Sequence, residues 1–358
     1  MDQEPETTVA KGRTAPEPDS PIKPDSPTQI TKPSWKYIFR RAVAEFMKDE
    51  CTDLAAALTY FTVLSVFPAL LAIVSTLGVF GKGQETTQTL VNFLQDYGPD
   101  ALVQLLADPI RQLTTSSGAG LAFIVGLLGA LWTASGYVGA FGRAMNRIYE
   151  VAEGRPVWKL RPFNVLVTVA IVLMVVLVML ILLMSGGIAS TVGEAVGLGQ
   201  TALTVWNVLK WPLLLVIAIS LIALLYYATP NVRQPKFRWL TIGSCIALVA
   251  MAVAGVGFGF YVSNFSKYNA TYGIIGSVII LLLGVWLMNI ALLLGAEVDA
   301  EIERGRELQG GIRAEETIQL PPRDTRQSEK KAEKQDALVA RARELRAEHA
   351  DHDYAKDS

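Results

Sequence analysis

The polar residues best placed to do chemistry in this sequence lie in one apolar segment, WLMNIALLLGAEVDAEIER. Asn289 and Glu297 are about two helical turns apart in this segment. An unpaired carboxylate near the edge of a hydrocarbon layer costs a few kcal/mol, and an acid at a helix C-terminus opposes the helix dipole. We therefore expect Glu297 to pair with Arg143 or Arg147, at the end of another apolar segment. Such a pair would either lock the helices together or hold a proton or ion.

The residue inventory argues against most enzyme chemistries. The only histidines, His349 and His352, lie in a charged C-terminal segment, so the apolar segments offer no histidine zinc site and no Ser-His-Asp triad. Gly81 and Lys82 lack the leading glycine of a phosphate-binding loop. The acids of residues 297–303 continue one helix, whereas a two-metal nuclease site gathers carboxylates from separate elements. We predict a protein that is not an enzyme and has no metal and no cofactor.

The elements that must position these residues are long apolar blocks. Hydrophobic residues make up 51% of the chain, and they are grouped rather than scattered. A run of about 18 or more apolar residues predicts a transmembrane helix, because backbone polar groups in lipid must satisfy one another. The sequence therefore predicts an all-α integral membrane bundle of six helices. The predicted spans are 55–80, 118–142, 163–187, 206–229, 238–262 and 272–297.

Basic residues alternate between rich and poor loops along the six predicted spans. The poor loops hold only Lys82, Arg111 and Lys267. Loops rich in lysine and arginine stay in the cytoplasm, so we expect both termini to be cytoplasmic. The net charge of −1 gives no reason to expect a nucleic-acid partner. The residues of the rich segments are Lys36, Arg40, Arg41, Lys48, Arg143, Arg147, Arg155, Lys159, Arg161, Arg233, Lys236, Arg238, Arg304, Arg306 and Arg313.

Segments of different composition flank the predicted membrane domain at 34–305. Residues 1–33 are proline-rich and polar, which predicts a disordered cytoplasmic tail. Residues 34–50 alternate aromatic and basic residues at helical spacing, which predicts an amphipathic juxtamembrane helix. The bilayer is its expected partner, with anionic lipid of the inner leaflet as the more specific alternative. Residues 306–358 are charged and predict a cytoplasmic C-terminal tail.

Two features predict how the helices pack. Pro68 lies in the middle of the first predicted span and should kink it, either as a packing device or as the wall of a cavity. Gly255 and Gly259 form a GxxxG pair in the fifth span, where small residues allow two helix backbones to approach closely. The sequence allows a homo-oligomer and leaves the oligomeric state open.

Several motifs in one order resemble a known family. They are AALTYFTVLSVFP at 56–68, FGRAMNRIYE at 141–150, LYYATPNV at 225–232, YGIIGSVIILLLGVW at 272–286 and LLLGAEVDAE at 292–301. Together they resemble the YihY/BrkB virulence-factor family of six-pass inner-membrane proteins, formerly mislabelled as ribonuclease BN. The resemblance implies an inner-membrane location and no accepted enzyme activity. The residues that match the family pattern, besides Glu297, are Tyr60, Pro68, Asn146, Tyr149, Pro230, Tyr272, Gly273 and Gly276.

Three functions are compatible with this sequence. The favoured one is envelope-related export, or flippase-like transport of a lipid or small amphiphile, because a bundle with a kinked helix, a glycine-rich helix and polar groups in its last span suits such movement. The alternative is a structural or scaffold membrane protein whose polar residues only lock the bundle. A membrane-tethered ribonuclease is the least favoured, because the residue inventory offers no nuclease site.

Overall fold

The computed structural model describes residues 5–79, 119–183, 200–235, 241–265 and 269–350. Its regular structure is helical apart from one isolated bridge between Val232 and Pro322, so the all-α prediction is confirmed for these residues. A short 3-10 turn lies at Pro27–Gln29. The helices are α1 (Pro5–Thr14), α2 (Lys32–Lys48), α3 (Cys51–Val79), α4 (Ala119–Ile148), α5 (Val157–Leu183), α6 (Gln200–Ala228), α7 (Ile242–Phe265), α8 (Asn269–Gln309) and α9 (Arg326–Ala350).

Helices α5 to α8 each contain a stretch long and apolar enough to cross a membrane. These stretches overlap the third to sixth predicted spans. The first and second predicted spans fall on α3 and α4, where side chains after Ser65 and before Leu128 lie outside the described ones. The kink predicted at Pro68 lies there too and stays a prediction, as does the count of six spans. The four stretches are Val157–Leu182, Leu203–Ala228, Ile242–Ser263 and Val278–Gln309.

Helix α8 is longer than the sixth predicted span. It continues to Gln309, about three turns past the predicted end at Glu297. The prediction that Glu297 lies at a helix C-terminus is therefore wrong. The charged residues that follow remain helical because they find partners on the helix itself, such as Glu301 and Arg304, whose side chains are 2.9 Å apart.

The hydrophobic core lies toward one end of the bundle. Phe141, Leu225 and Leu293 bring α4, α6 and α8 together there, and all three are almost fully buried. Ile318 and Leu320, from the chain beyond α8, complete the same core. We call this region the charged end, because ionisable residues surround its apolar centre. It comprises residues 45–51, 147–155, 229–235, 241–243 and 297–309.

The predicted amphipathic helix is present as α2. Its N-terminus is capped by Thr31, whose hydroxyl accepts a hydrogen bond from the Ser34 backbone nitrogen at 3.4 Å. Ile38 is fully buried and packs on Gly305 of α8, where an added Cβ would lie 2.6 Å from the Ile38 Cδ1 atom. The chain then turns at Glu50, whose φ is 54°, and enters α3.

Among the described residues, a close helix crossing lies at Gly243 and Gly295, away from the predicted pair Gly255 and Gly259. A Cβ added to Gly243 of α7 would lie 2.1 Å from the carbonyl oxygen of Gly295 of α8. At Gly255 the nearest atom would be 3.8 Å away, and at Gly259 nothing lies within 4 Å. Close packing at Gly255 and Gly259 is therefore not found among the described residues. Their neighbour Val256 is 76% exposed, so this part of α7 faces outward.

The N-terminal segment differs from the predicted disordered tail. Residues 5–14 form α1, and Thr8, Lys11 and Lys23 are each buried against the bundle. Composition alone predicts disorder because residues 1–33 carry few apolar groups. Specific polar contacts to the charged end supply the missing interactions, as shown below.

The segment after α8 also differs from a free tail. Residues 311–325, which we call the returning segment, fold back onto the charged end. Ala314, Ile318 and Leu320 of this segment are fully buried. A backbone bond from Arg233 to Pro321 joins this segment to the α6–α7 connection at 2.9 Å. Helix α9 then follows as a largely exposed helix. The predicted boundary at residue 305 therefore separates residues that pack together.

Candidate functional site at the charged end

Asn289 lies in a packed seam between three helices. The Tyr137 hydroxyl of α4 donates to Asn289 Oδ1 at 3.0 Å, and Asn289 Nδ2 donates to Thr59 Oγ1 of α3 at 3.2 Å. The Thr59 hydroxyl in turn donates to the Ala55 carbonyl at 2.8 Å. Asn289 is 3% exposed, and hydrogen bonds between helices stabilise a bundle where lipid offers no alternative partner. The hydrogen bonds of Asn289 therefore join α3, α4 and α8.

Glu297 is fully buried two turns further along α8. The Cys51 thiol at the start of α3 donates to Glu297 Oε1 at 3.4 Å. Within the part of the chain that the structure describes, the second oxygen, Oε2, has no hydrogen-bond partner. Buried polar atoms are nearly always satisfied, so this orphan oxygen is the most unusual feature of the charged end.

The predicted ion pair of Glu297 with Arg143 or Arg147 is not formed. Arg147 donates instead to Glu50 at 3.0 Å and lies 3.9 Å from Asp49. The Arg143 guanidinium lies over the Phe61 ring at 5.8 Å. The turn between α2 and α3 explains the difference, because it places two carboxylates beside the end of α4.

Asp49 occupies the rim of the same region. Burial, helped by the neighbouring Glu45 carboxylate and opposed by Arg147, raises the pKa of its carboxyl to about 6. Arg41 bridges the adjacent acids, since its Nη2 lies 2.8 Å from Glu45 and its Nε lies 3.9 Å from Glu301. Lys48 also pairs with Glu45 at 2.7 Å, so acids and bases alternate around the rim.

Arg304 is the centre of the largest buried ionic network. Its side chain is 1% exposed and donates to Glu301 at 2.9 Å, to Glu150 at 3.1 Å and to the Ala314 carbonyl at 3.0 Å. The second oxygen of Glu150 accepts from the Ile318 backbone nitrogen at 2.8 Å. The backbone of Glu150 is left-handed, with a φ of 53°, which costs energy for a residue with a Cβ. The network thus holds α4, α8 and the returning segment in one arrangement.

The N-terminal segment adds two buried lysines to this network. Lys23 lies 2.9 Å from Glu303 and 3.3 Å from Glu307. Lys11 donates to the Glu150 carbonyl at 2.7 Å, and burial lowers its pKa to about 8. Sequence reasoning missed both lysines, because nothing in a proline-rich segment marks one lysine as buried.

Several residues that match the family motifs meet at the charged end. The Asn231 backbone nitrogen donates to Asn146 Oδ1 at 2.6 Å, and the Asn231 side chain exchanges hydrogen bonds with the backbone of Asp324 at 2.9 and 3.1 Å. Tyr149 and Pro230 are buried beside them. This cluster ties the end of α4 to the α6–α7 connection and the returning segment. The side chains of Tyr272 and Gly273 lie outside the described ones, and Gly276 is partly exposed on α8.

A cavity of about 160 Å³ lies beside this cluster. Tyr149, Tyr226 and Asp299 line the cavity. Asp25 and Ile30 of the N-terminal segment also line it. The Asp299 carboxylate is satisfied by the Thr241 hydroxyl at 2.5 Å and the Gly243 backbone nitrogen at 2.7 Å. Asp299 therefore caps the N-terminus of α7. Among the described residues no group of three or more ligating side chains could hold a metal ion.

A second, larger groove of about 570 Å³ runs between α3 and α8. Its walls are mostly apolar and include Val63, Leu283 and Trp286. Thr59 also lines the groove. Trp286 Nε1 is anchored to the Thr52 carbonyl at 3.0 Å. Tyr60, a position of the family motif, is 60% exposed along this groove.

These features define a helical, multi-pass membrane protein with a polar network at one end and an apolar groove on its side. The family model described as virulence factor BrkB matches residues 42–317. The chain belongs to this family, and the resemblance drawn from its motifs is confirmed. The match extends past the predicted domain end at residue 305 and includes part of the returning segment.

Several relatives are bacterial proteins named UPF0761 membrane proteins, and the chain is likewise a multi-pass bacterial membrane protein. It is 29% identical to the putative ribonuclease-like protein YfkH of Bacillus subtilis, over 71% of this chain and 90% of that protein. It is 30% identical to a UPF0761 membrane protein of Alkalilimnicola ehrlichii over 71% of this chain, but spans only 56% of that protein's length. A UPF0761 membrane protein of Alteromonas mediterranea is 27% identical over 74% of this chain and 87% of its own length. No solved structure matches the chain.

Proposed function

We propose that this protein moves a lipid or another small amphiphile across the cell membrane, by export or a flippase-like mechanism. The groove between α3 and α8 carries the proposal. It is apolar along Val63, Leu64 and Leu283, which suits an acyl chain, and the exposed Tyr60 is a polar residue of its lining. Apolar pockets with a few placed polar groups are the usual form of small-ligand sites.

The proposed layout has six membrane spans with both termini in the cytoplasm. Helix α3 has 29 residues and α4 has 30, so each is about 45 Å long and can cross a hydrocarbon core of about 30 Å. Together with the four candidate stretches on α5 to α8 they supply six spans. The charged end then faces the cytoplasm, because the arginine-rich residues 143–161 lie there.

Helix α2 is proposed to lie on the inner leaflet. Phe39, Val43 and Met47 follow one another at every fourth residue and are 47%, 63% and 68% exposed. Ile38 and Ala42 lie on an adjacent face of the helix and are buried against the bundle. An apolar stripe flanked by Lys36 and basic neighbours suits the headgroup region of an anionic leaflet.

The second candidate is a scaffold of the envelope. It is supported by the partners found for the polar residues, since Asn289 lies in a packed seam and Arg304 in a closed ionic network. A ribonuclease is not proposed, although one relative is named ribonuclease-like, because Glu301 and Glu303 are engaged in ion pairs. Acids so engaged do not converge on a metal or a substrate.

The test is movement of fluorescent lipids in proteoliposomes, read by quenching of the outer leaflet. Ala56→Trp would fill the groove, because Ala56 lines it, whereas Ala57 is exposed on the same helix and does not line it. We expect Ala56→Trp to slow lipid movement about tenfold and Ala57→Trp to leave it unchanged, a difference of about 1.4 kcal/mol in the barrier. Lipid movement no faster than in protein-free vesicles would favour the scaffold.

A further inference from the structure

The orphan oxygen of Glu297 lies in a region where carboxylates gather. Glu297 is fully buried at the junction of α2, α3 and α8, and among the described residues the one hydrogen bond to its carboxyl is the 3.4 Å bond from the Cys51 thiol. A thiol is a weak donor. The carboxyl therefore has neither water nor a strong donor to stabilise a negative charge.

The charged groups that face Glu297 belong to every element packed around it. From α2 and the following turn come Glu45 and Asp49, and from α8 itself comes Glu301. Tyr149, just after α4, faces the same region as a neutral phenol. Three acids and no base thus act directly on Glu297.

The nearby arginines are engaged elsewhere. Arg41 lies 2.8 Å from Glu45, and Arg147 pairs with Glu50 at 3.0 Å. Arg304 is shared by Glu301 and Glu150. Within the described part of the chain, no cation forms an ion pair with Glu297.

A bare carboxylate in this position would cost far more than a neutral acid. An isolated buried charge costs many kcal/mol, whereas one unmatched hydroxyl costs a few. The neutral acid also avoids repulsion from the three neighbouring carboxylates. We infer that Glu297 is a proton-binding site, reached from the charged end past Asp49, and that its proton is the coupling ion of the proposed transport.

Asp49 is suited to pass protons between the surface and Glu297. It is 9% exposed at the rim, and the pKa of about 6 that burial gives it lies close to physiological pH. A group that titrates near the working pH both takes up and releases protons readily. In this step a proton leaves the Asp49 carboxyl, which becomes a carboxylate, and joins the Glu297 carboxylate, which becomes neutral.

The proton site is tested without any transport assay. The full-length protein in micelles of a detergent without ester groups is held at about pH 7.5, and infrared spectra are recorded for the carbonyl stretch of a neutral carboxylic acid, which an ionised carboxylate lacks. We expect this band in the wild type and its loss in Glu297→Gln. Glu301→Gln is the matched control, because Glu301 is equally buried one turn further on but paired with Arg304. It should retain the band.

Two results would overturn the proton site. One is a wild-type spectrum without the band, which needs no variant and so does not depend on how Glu297→Gln folds. The other is a band of full intensity in folded Glu297→Gln. The shape of glutamine matches that of the neutral acid, so we expect this variant to keep the melting temperature of the wild type.

The coupling step rests on the proposed function and has its own measurement. In proteoliposomes, a pH gradient across the membrane should accelerate lipid movement by the wild type, and Glu297→Gln should lose this dependence. Lipid movement by the wild type at a rate that does not depend on the pH gradient would refute the coupling. Absence of any movement would refute the proposed function, while the infrared result still decides whether Glu297 binds a proton.

Discussion

The Arg304 guanidinium lies 3.1 Å from the Glu150 carboxylate, with side-chain exposures of 1% and 7%. The two residues are 154 positions apart in the sequence. Their contact fixes the last turns of α8 against the end of α4, and the Ile318 backbone closes the arrangement from the third side. Their contact therefore joins two buried charges that lie far apart in the sequence.

Replacement of Arg304 by methionine should destabilise the protein strongly. The variant leaves Glu150 and Glu301 buried without a cation, and breaking a buried pair from one side costs about 3–5 kcal/mol. Unfolding in mixed micelles measures the change. Arg341→Met on α9 is the control, because Arg341 also pairs with a glutamate but is 59% exposed, and we expect a change within about 0.5 kcal/mol. Equal losses in the two variants would show that the buried network adds nothing.

Loss of the Asn289 side chain should weaken the junction of α3, α4 and α8. Asn289→Ala leaves the Tyr137 hydroxyl without its acceptor, and an unmatched buried group costs about 1–3 kcal/mol. A double-mutant cycle with Tyr137→Phe isolates the bond itself, for which we expect about 0.6–1.7 kcal/mol. Additive effects of the two substitutions would mean that the two side chains do not interact.

Lys23→Ala should release the N-terminal segment from the bundle. Lys23 neutralises Glu303 and Glu307, so its removal leaves two neighbouring acids that repel each other. Hydrogen exchange of residues 20–31 should become faster in the variant, while exchange within α4 should not change. Lys32→Ala is the control, since Lys32 is exposed at the start of α2. Unaltered exchange in Lys23→Ala would contradict the ionic docking described above.

Docking of α1 should strengthen as pH rises from about 8 to 10. Burial lowers the pKa of Lys11 from 10.5 to about 8 in the docked state, so the undocked state binds more protons in this interval. Deprotonation therefore favours docking, by roughly 2–3 kcal/mol over the interval. Proteolysis of the N-terminal segment at a series of pH values measures the effect. Lys11→Met should remove the pH dependence, and a wild type whose cleavage accelerates with pH would contradict the sign.

Asp49 should make the stability of the protein fall as pH rises in the acid range, which is opposite in sign to the effect of Lys11 on docking. Its pKa is raised from 3.8 to about 6 in the folded protein, so the folded state holds the proton that the unfolded state releases. Stability from this group is therefore present below about pH 4 and is lost as pH rises to about 6. Asp49→Asn should stabilise the protein at about pH 7.5 and have little effect at about pH 4. Stabilisation only at low pH would contradict the burial of this carboxyl.

Hydropathy predicted much of the membrane part of the fold. The third to sixth predicted spans fall on α5 to α8, because long apolar runs have few alternatives to helix in lipid. The predicted sixth span ends at Glu297 and the acids after it are expected to continue the same helix, but only the structure shows that α8 reaches Gln309. These acids pair along the helix, as Glu301 does with Arg304, and the contacts to Lys23 and Glu150 could not be predicted because those residues are far away in sequence.

The candidate site was predicted only in part. Polarity singled out Asn289 and Glu297, and both are buried in α8. The partners could not be predicted, since they depend on the turn at Glu50, which places carboxylates beside Arg147. Arg304 carried a usable signal that was missed, because it follows Glu301 at a spacing that pairs on a helix.

The docked N-terminal segment bears on how the protein should be produced. A chain trimmed to the family match would begin at residue 42 and lack both Lys11 and Lys23. Glu303 and Glu307 would then stay buried without the lysine that neutralises them. Purification tags are accordingly better attached after α9, whose surface is largely exposed, than substituted for the first residues.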